Sequence, residues 1–318
     1  MEWNPALVEA KIGIQFKNRD ILRLALIHPS YSEELGEGTP NNERLEFLGD
    51  AAMNFAIADY LYSHTPYLEV ANFSALREKL MEGERLTKLW YQLGLGEAYP
   101  FLGITSDRFI LRQKFPNPFD RGFKALVGAI HLDRGFSQSR NWLNKKLIAP
   151  VLERYLKPIT ERSNPNKQLQ FLGDSLLKAV VLEYLYRHLP NVRAGRLGEL
   201  SRELTGKERQ SEYFKKVDLT ALKLGDEKAL VKSFKALVAA MYLQYNASGD
   251  KGGFKKTENW FVEQFVDGDE VLRRAIALLL EDGKSQKWIV RHLMGYESKD
   301  YHEGREKYNQ LIEGKNLL

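Results

Sequence analysis

Three carboxylates, Glu43, Glu46 and Asp50, stand at i, i+3 and i+7 in the run Glu43-Arg44-Leu45-Glu46-Phe47-Leu48-Gly49-Asp50. On a helix these positions share one face within roughly 60°. Carboxylates held that close repel one another unless a metal ion, a fixed cation or a proton compensates. The octet returns as Lys167-Gln168-Leu169-Gln170-Phe171-Leu172-Gly173-Asp174, which keeps Phe-Leu-Gly-Asp but has lost both glutamates. A second pair of matching segments follows: Arg121-Gly-Phe-Lys124-Ala-Leu-Val-Gly-Ala and Lys232-Ser-Phe-Lys235-Ala-Leu-Val-Ala-Ala. One chain holds two copies of one unit whose chemistry has diverged.

The repeat sets the organisation of the 318 residues. Each copy is roughly 110–125 residues, long enough to bury its own core and far longer than a solenoid repeat. The boundaries expected are 1–157 for the first unit, 158–267 for the second and 268–318 for a C-terminal extension. Apolar spacing is helical almost throughout, as over Leu22–Leu26, Ala51–Tyr62, Phe73–Leu95, Phe123–Leu132 and Val231–Tyr245. Pro100, Gly103, Pro116, Pro118 and Gly135 punctuate the first unit, Pro158 and Pro165 the join, and Gly249, Gly252 and Gly253 the second unit. Helices are expected in the extension over Val271–Leu280, Ser285–Leu293 and Lys299–Ile312, either as a helix-turn-helix-like pair or as a bundle covering the second unit. The class predicted is all-α.

The absence of cysteine excludes disulfides, zinc–cysteine sites and thiol catalysis. No run approaches the 18 apolar residues of a membrane span. His28, His64, His131, His188, His292 and His302 lack metal-ligand spacing and are expected to be structural or exposed. The net charge of +5 is uneven: +1 over 1–157, +4 over 158–267 and 0 over 268–318. That bias is compatible with RNA without demanding it.

The octets, with Ala25-Leu26-Ile27-His28-Pro29-Ser30-Tyr31 before the first and the Ala-Leu-Val-Gly-Ala helix after it, resemble the signatures of the ribonuclease III family. The resemblance covers almost all of the first unit and about Asn166 to Leu243 of the second. It implies two all-α ribonuclease III-type domains pairing as an intramolecular pseudo-dimer, with Phe47 and Phe171 as interface residues. Ordinary core packing is the alternative for those rings. In that family two divalent metal ions, held by the signature helix and an Asp-x-x-Glu pair, cleave double-stranded RNA.

The chain departs from that pattern. Glu46 and Asp50 match two metal ligands and Glu43 an auxiliary glutamate, but Arg121 and Lys124 fill the Asp-x-x-Glu positions, with Asp120 one residue off register. The fourth acidic position falls near Val70, beside Glu69. In the second copy Lys167 and Gln170 replace the glutamates, Lys232 and Lys235 the later pair, and Asp174 alone remains. A +2 ion about 4 Å from a fixed positive charge is repelled by roughly 8 kcal/mol at an effective dielectric of 20. The expectation is therefore a pseudo-nuclease without catalytic residues, metal or other cofactor, in which Glu43, Glu46, Asp50 and Asp174 are vestigial. Arg121, Lys124, Lys167, Lys232 and Lys235 are candidates to bind RNA phosphates, or else they form internal salt bridges with the remaining carboxylates.

The architecture of two degenerate domains without a double-stranded-RNA-binding domain resembles the noncatalytic tandem branch of plant chloroplasts. By that resemblance the function expected is RNA binding in a ribonucleoprotein that assists group II intron splicing or RNA processing, in the chloroplast stroma, with protein partners and no membrane. A transit sequence, if the natural protein has one, is absent from this chain. The alternatives are a structural protein of an organellar large ribosomal subunit and an active double-stranded-RNA endonuclease with unusual ligands.

Overall fold

The computed structural model describes residues 3–36, 39–96, 99, 101, 118–153, 163–217, 226–247 and 252–313. Pro100, Gly103, Pro116, Pro158 and Gly249 lie outside them. Among the described residues the structure is all-helical, and the one extended pairing is an isolated bridge between Ile27 and Phe101.

The first copy opens with α1 (Pro5–Ile12), α2 (Arg19–Ala25) and α3 (Pro29–Leu35). Asn4, Asn18 and His28 each accept a backbone N–H at the start of one of them. Then come α4 (Glu43–His64), α5 (Val70–Met81), α6 (Gly83–Gln92), α7 (Pro118–Arg134) and α8 (Phe136–Leu143). After α8 the chain continues through one π turn to Leu152. The helical spacing over Phe73–Leu95 is broken at Glu82, whose extended backbone precedes Gly83 and separates α5 from α6. The second copy holds α9 (Pro165–His188), α10 (Ala194–Leu204), α11 (Lys207–Lys216), α12 (Glu227–Ala247) and α13 (Gly253–Phe265). The extension is α14 (Gly268–Glu281), α15 (Gln286–His292) and α16 (Tyr301–Glu313).

Contacts divide the chain into two compact units: Met1–Ala179 with Lys235–Phe254, and Val180–Phe234 with Lys255–Leu318. This division by packing crosses the division by repeat, because α9 and α12 each run through a boundary.

In the first unit α4 is the central helix. Leu45, Leu48, Met53, Phe55, Ile57 and Leu61 point to different sides of it and all are buried, the pattern of a helix surrounded by others. It crosses α7 at very close range. A Cβ added at Gly49 would lie 1.8 Å from the Lys124 carbonyl oxygen, and one at Gly128 would run into the Leu45 carbonyl. The same crossing recurs between α9 and α12, where a Cβ on Gly173 would meet the Lys235 carbonyl. The glycine of each Phe-Leu-Gly-Asp run is thus explained sterically. With no side chain there, the backbone bearing Lys124 or Lys235 comes up against the helix bearing Asp50 or Asp174.

The second unit has an aromatic core of Tyr213, Phe234, Phe261 and Phe265. Its terminal helices are tied to α10 by charge. Arg196 reaches Asp282 at 2.6 Å and Arg274 reaches Glu203 at 2.9 Å, while Ile276, Leu278, Ile289 and Val290 are buried. Of the two expected arrangements for the extension, this is the bundle packed on its neighbour.

Candidate functional site

Glu43, Glu46 and Asp50 lie in the first two turns of α4, on the face turned to α7. Arg121 and Lys124 sit one turn apart on α7 and reach back to them. The Arg121 Nε donates to Glu46 Oε2 at 2.8 Å, and its Nη2 stands 3.7 Å from Glu43 Oε1. The Lys124 Nζ lies 2.9 Å from Asp50 Oδ1. Asn54, one turn further along α4, donates to Asp50 Oδ2 at 3.0 Å. Asp120 turns back to accept the Arg121 backbone N–H at 2.7 Å.

The electrostatics follow from partial burial. Burial pushes the Glu46 carboxyl upward, and the Arg121 and Lys124 charges only partly offset it. Burial also raises the Asp120 carboxyl. At Lys124 burial works against the ammonium, but Asp50, Asp120 and Glu46 outweigh it, so the group stays cationic beyond the ordinary lysine range. The Lys124 side chain is 20% exposed against 41% for Asp50, so this pair is better shielded than a surface pair worth under about 1 kcal/mol. Each cation lies within ion-pair distance of a carboxylate that a metal ion would need as a ligand, 2.8 Å for Arg121 and 2.9 Å for Lys124.

The second copy builds a smaller version. Asp174 is its only carboxylate, and both oxygens are taken: Oδ1 by the Lys235 ammonium at 2.7 Å and Oδ2 by that of Lys178 at 2.8 Å. Burial would raise its pKa, but the two ammonium groups reverse the shift and hold the carboxyl below its usual range. Lys167 and Lys232 are exposed. Of the five cations expected either to bind RNA phosphates or to form internal salt bridges, Arg121, Lys124 and Lys235 are engaged with carboxylates.

These residues do not fit a pair of divalent ions. Every oxygen cluster already has a fixed cation within ion-pair distance, and among the described residues no group of three or more His, Cys, Asp or Glu is arranged to hold a metal. Glu69, beside the fourth acidic position, accepts a hydrogen bond from Ser163.

Phe171 is half-buried between Phe73, with centroids 5.5 Å apart, and the Arg77 guanidinium at 4.8 Å. Both partners come from α5 of the first copy. Phe47 is also half-buried.

Several partners escaped the sequence reading. Lys178 and Asn54 hold equivalent places one turn beyond their aspartates, which only an i, i+4 signal could have flagged. Gln168, fully buried, donates to the carbonyls of Pro66 and Leu68 at 2.7 and 2.8 Å. Asp59 on α4 and Tyr242 on α12, both buried, form a triad with the half-buried Arg140 on α8, with all three separations at 3.1–3.2 Å. Residues 81 and 183 positions apart in the chain give no local pattern for that triad.

Comparison with known proteins adds the ancestry. Residues 18–151 match the family model described as ribonuclease-III-like, and residues 167–246 match that of the ribonuclease III domain. Ribonuclease 3 of Pseudomonas aeruginosa is 35% identical over 175 residues, which are 51% of this chain and 67% of that protein. Ribonuclease 3 of Borreliella burgdorferi is 38% identical over 176 residues, covering 55% of this chain and 69% of its own. A solved nuclease domain of ribonuclease III from Campylobacter jejuni shares 29% identity over 49% of this chain and all of its own, with a TM-score of 0.39.

Proposed function

Because the chain belongs to the ribonuclease III family and carries two of its domains in tandem, we propose that it is a family member that binds RNA without cutting it. The observation that carries this reading is the pairing of Glu46 with Arg121, Asp50 with Lys124, and Asp174 with Lys235. A nuclease of this family needs those carboxylates for metal. Here each is neutralised by a side chain that cannot dissociate, and the residual attraction for a divalent ion is set against roughly 8 kcal/mol of repulsion from each fixed charge nearby.

The charge exchange keeps the scaffold folded without an ion. Phe171, lodged against Phe73 and Arg77, supports retention of the pairing between copies that gives the family its RNA-binding valley. The specific role that this architecture resembles is assistance to group II intron splicing, within a chloroplast ribonucleoprotein. No helix among the described residues is long and apolar enough to cross a membrane.

The test is incubation of the full chain with long duplex RNA and magnesium or manganese, beside sequencing of RNA that co-purifies with it. The reading requires intact duplex and an enriched structured RNA. Cleavage that Asp50→Asn abolishes would refute the noncatalytic assignment. Enrichment of ribosomal RNA in place of intron RNA would remove the splicing role.

A further inference from the structure

The two copies have not lost the same charges, and the difference has a direction. In the first copy Glu43, Glu46, Asp50 and Asp120 surround two cations, Arg121 and Lys124, and the fourth helical position along α4 is the neutral Asn54. The balance is two negative charges in excess. In the second copy the equivalent positions on α9 are Lys167, Gln170, Asp174 and Lys178, and α12 carries Lys232 and Lys235 at the positions of Arg121 and Lys124. By sequence Asp174 is one anion against four ammonium groups, two of which, Lys178 and Lys235, it holds itself.

The geometry of α9 makes this more than a count. Lys167, Asp174 and Lys178 stand at i, i+7 and i+11, within about 40° of one another around the helix and spread along roughly 16 Å of it. Asp174 engages one ammonium on each oxygen and so fixes both donors side by side, at 2.7 and 2.8 Å. The Lys178 side chain remains 56% exposed, and Lys167 is exposed a further three turns back. A lysine ammonium has three donors and spends one on Asp174. What remains is two ammonium groups oriented by Asp174, with the exposed Lys167 on the same face of α9, the face that in the first copy is lined by carboxylates.

We propose that the vestigial site of the second copy has changed from a cation site to an anion site: Lys167, Lys178 and Lys235, the last two set by Asp174, bind backbone phosphates of duplex RNA, while the first copy's site contributes no phosphate contact. This rests on the RNA-binding reading above and adds where the contact is made. Asp174 is a positioning residue in this account. Its removal would free two ammonium groups and raise local charge, yet disorder the donors.

The test uses the full chain and a fluorescein-labelled RNA duplex of about 20 base pairs. Anisotropy titrations are run from 50 to 300 mM KCl. Each phosphate contact contributes a slope of about 0.9 to the fall of log affinity with log salt. The expected result for Lys167→Gln with Lys178→Gln is a slope lower by about 2 and a roughly tenfold weaker affinity at low salt, with a melting temperature lowered by no more than about 4 °C, because Lys167 is exposed and the Lys178–Asp174 pair is largely solvated at its lysine end. Asp174→Asn, which keeps the shape but loosens both ammonium groups, is expected to weaken binding despite adding positive charge. If the unaltered chain binds the duplex but the double variant keeps both slope and affinity, the location assigned here is wrong and RNA binding stands. If Asp174→Asn tightens binding, its positioning role is wrong. If the unaltered chain shows no salt-dependent binding at all, the RNA-binding reading itself falls.

Discussion

Replacing both cations of the first site, as Arg121→Gln with Lys124→Gln, should make the stability of the chain depend on a divalent metal ion. At 2.8 Å the Arg121–Glu46 attraction is about 6 kcal/mol at an effective dielectric of 20, and at 2.9 Å the Lys124–Asp50 attraction is about the same. Most of this is offset by lost hydration and side-chain entropy. A net loss of about 2 kcal/mol per pair is reasonable for groups between exposed and buried. The double variant would leave Glu43, Glu46, Asp50 and Asp120 facing one another, so the expected destabilisation is about 4 kcal/mol at pH 7. The glutamines keep hydrogen-bonding capacity, which isolates the charge. Urea denaturation with and without millimolar manganese reads both effects. The variant should regain part of the loss with manganese, by RT ln(1 + [L]/Kd), while the unaltered chain should not respond. A variant as stable as the parent, or one that manganese leaves unmoved, would refute the idea that these side chains replace an ion.

Other predictions follow from the packing. Gly49→Ala places a methyl where the Lys124 carbonyl oxygen stands and should cost about 3 kcal/mol or more in urea denaturation, because backbone rather than a flexible side chain must move. Asp59→Ala leaves the Arg140 guanidinium unpaired beside Tyr242 and should cost about 3 kcal/mol, whereas Tyr242→Phe should cost about 1–2. His28 is 1% exposed, and burial together with the nearby Arg121 charge lowers its pKa to about 4. Its unfolded value is about 6.5, so the unfolded chain binds more protons between those limits and stability falls with acidification across that window, by up to about 3 kcal/mol. His28→Asn, which retains an acceptor for the Ser30 N–H, should flatten that dependence in denaturation curves taken at pH 7 and pH 4.5.

What could be read from the sequence was whatever is written at helical spacing. The shared face of Glu43, Glu46 and Asp50 needs only 3.6 residues per turn, and Arg121 with Lys124 share a face for the same reason. That these faces meet follows from two glycines whose purpose appears only when the helices are crossed. The fate of the cations was left open because sequence cannot distinguish an ammonium turned to a carboxylate from one turned to solvent. The structure pairs Arg121, Lys124 and Lys235 each with a carboxylate. Lys178 escaped notice because a lysine four residues after an aspartate on an exposed helix is ordinary. It gains meaning only from Lys235 on the other oxygen of Asp174. The break at Glu82 was hidden by apolar residues that keep helical spacing on both sides of it. Asp59, Arg140 and Tyr242 are joined by tertiary packing alone.

The proposed loss of cleavage depends on the pairing of fixed side-chain cations with the carboxylates of both copies, in the place of divalent ions. Titrating manganese into the unaltered chain, with the electron paramagnetic resonance of free manganese as readout, addresses it directly. The free-ion signal is expected to grow in proportion to added metal, with no saturable binding at micromolar concentrations. Two ions bound per chain, released by Asp50→Asn, would contradict it.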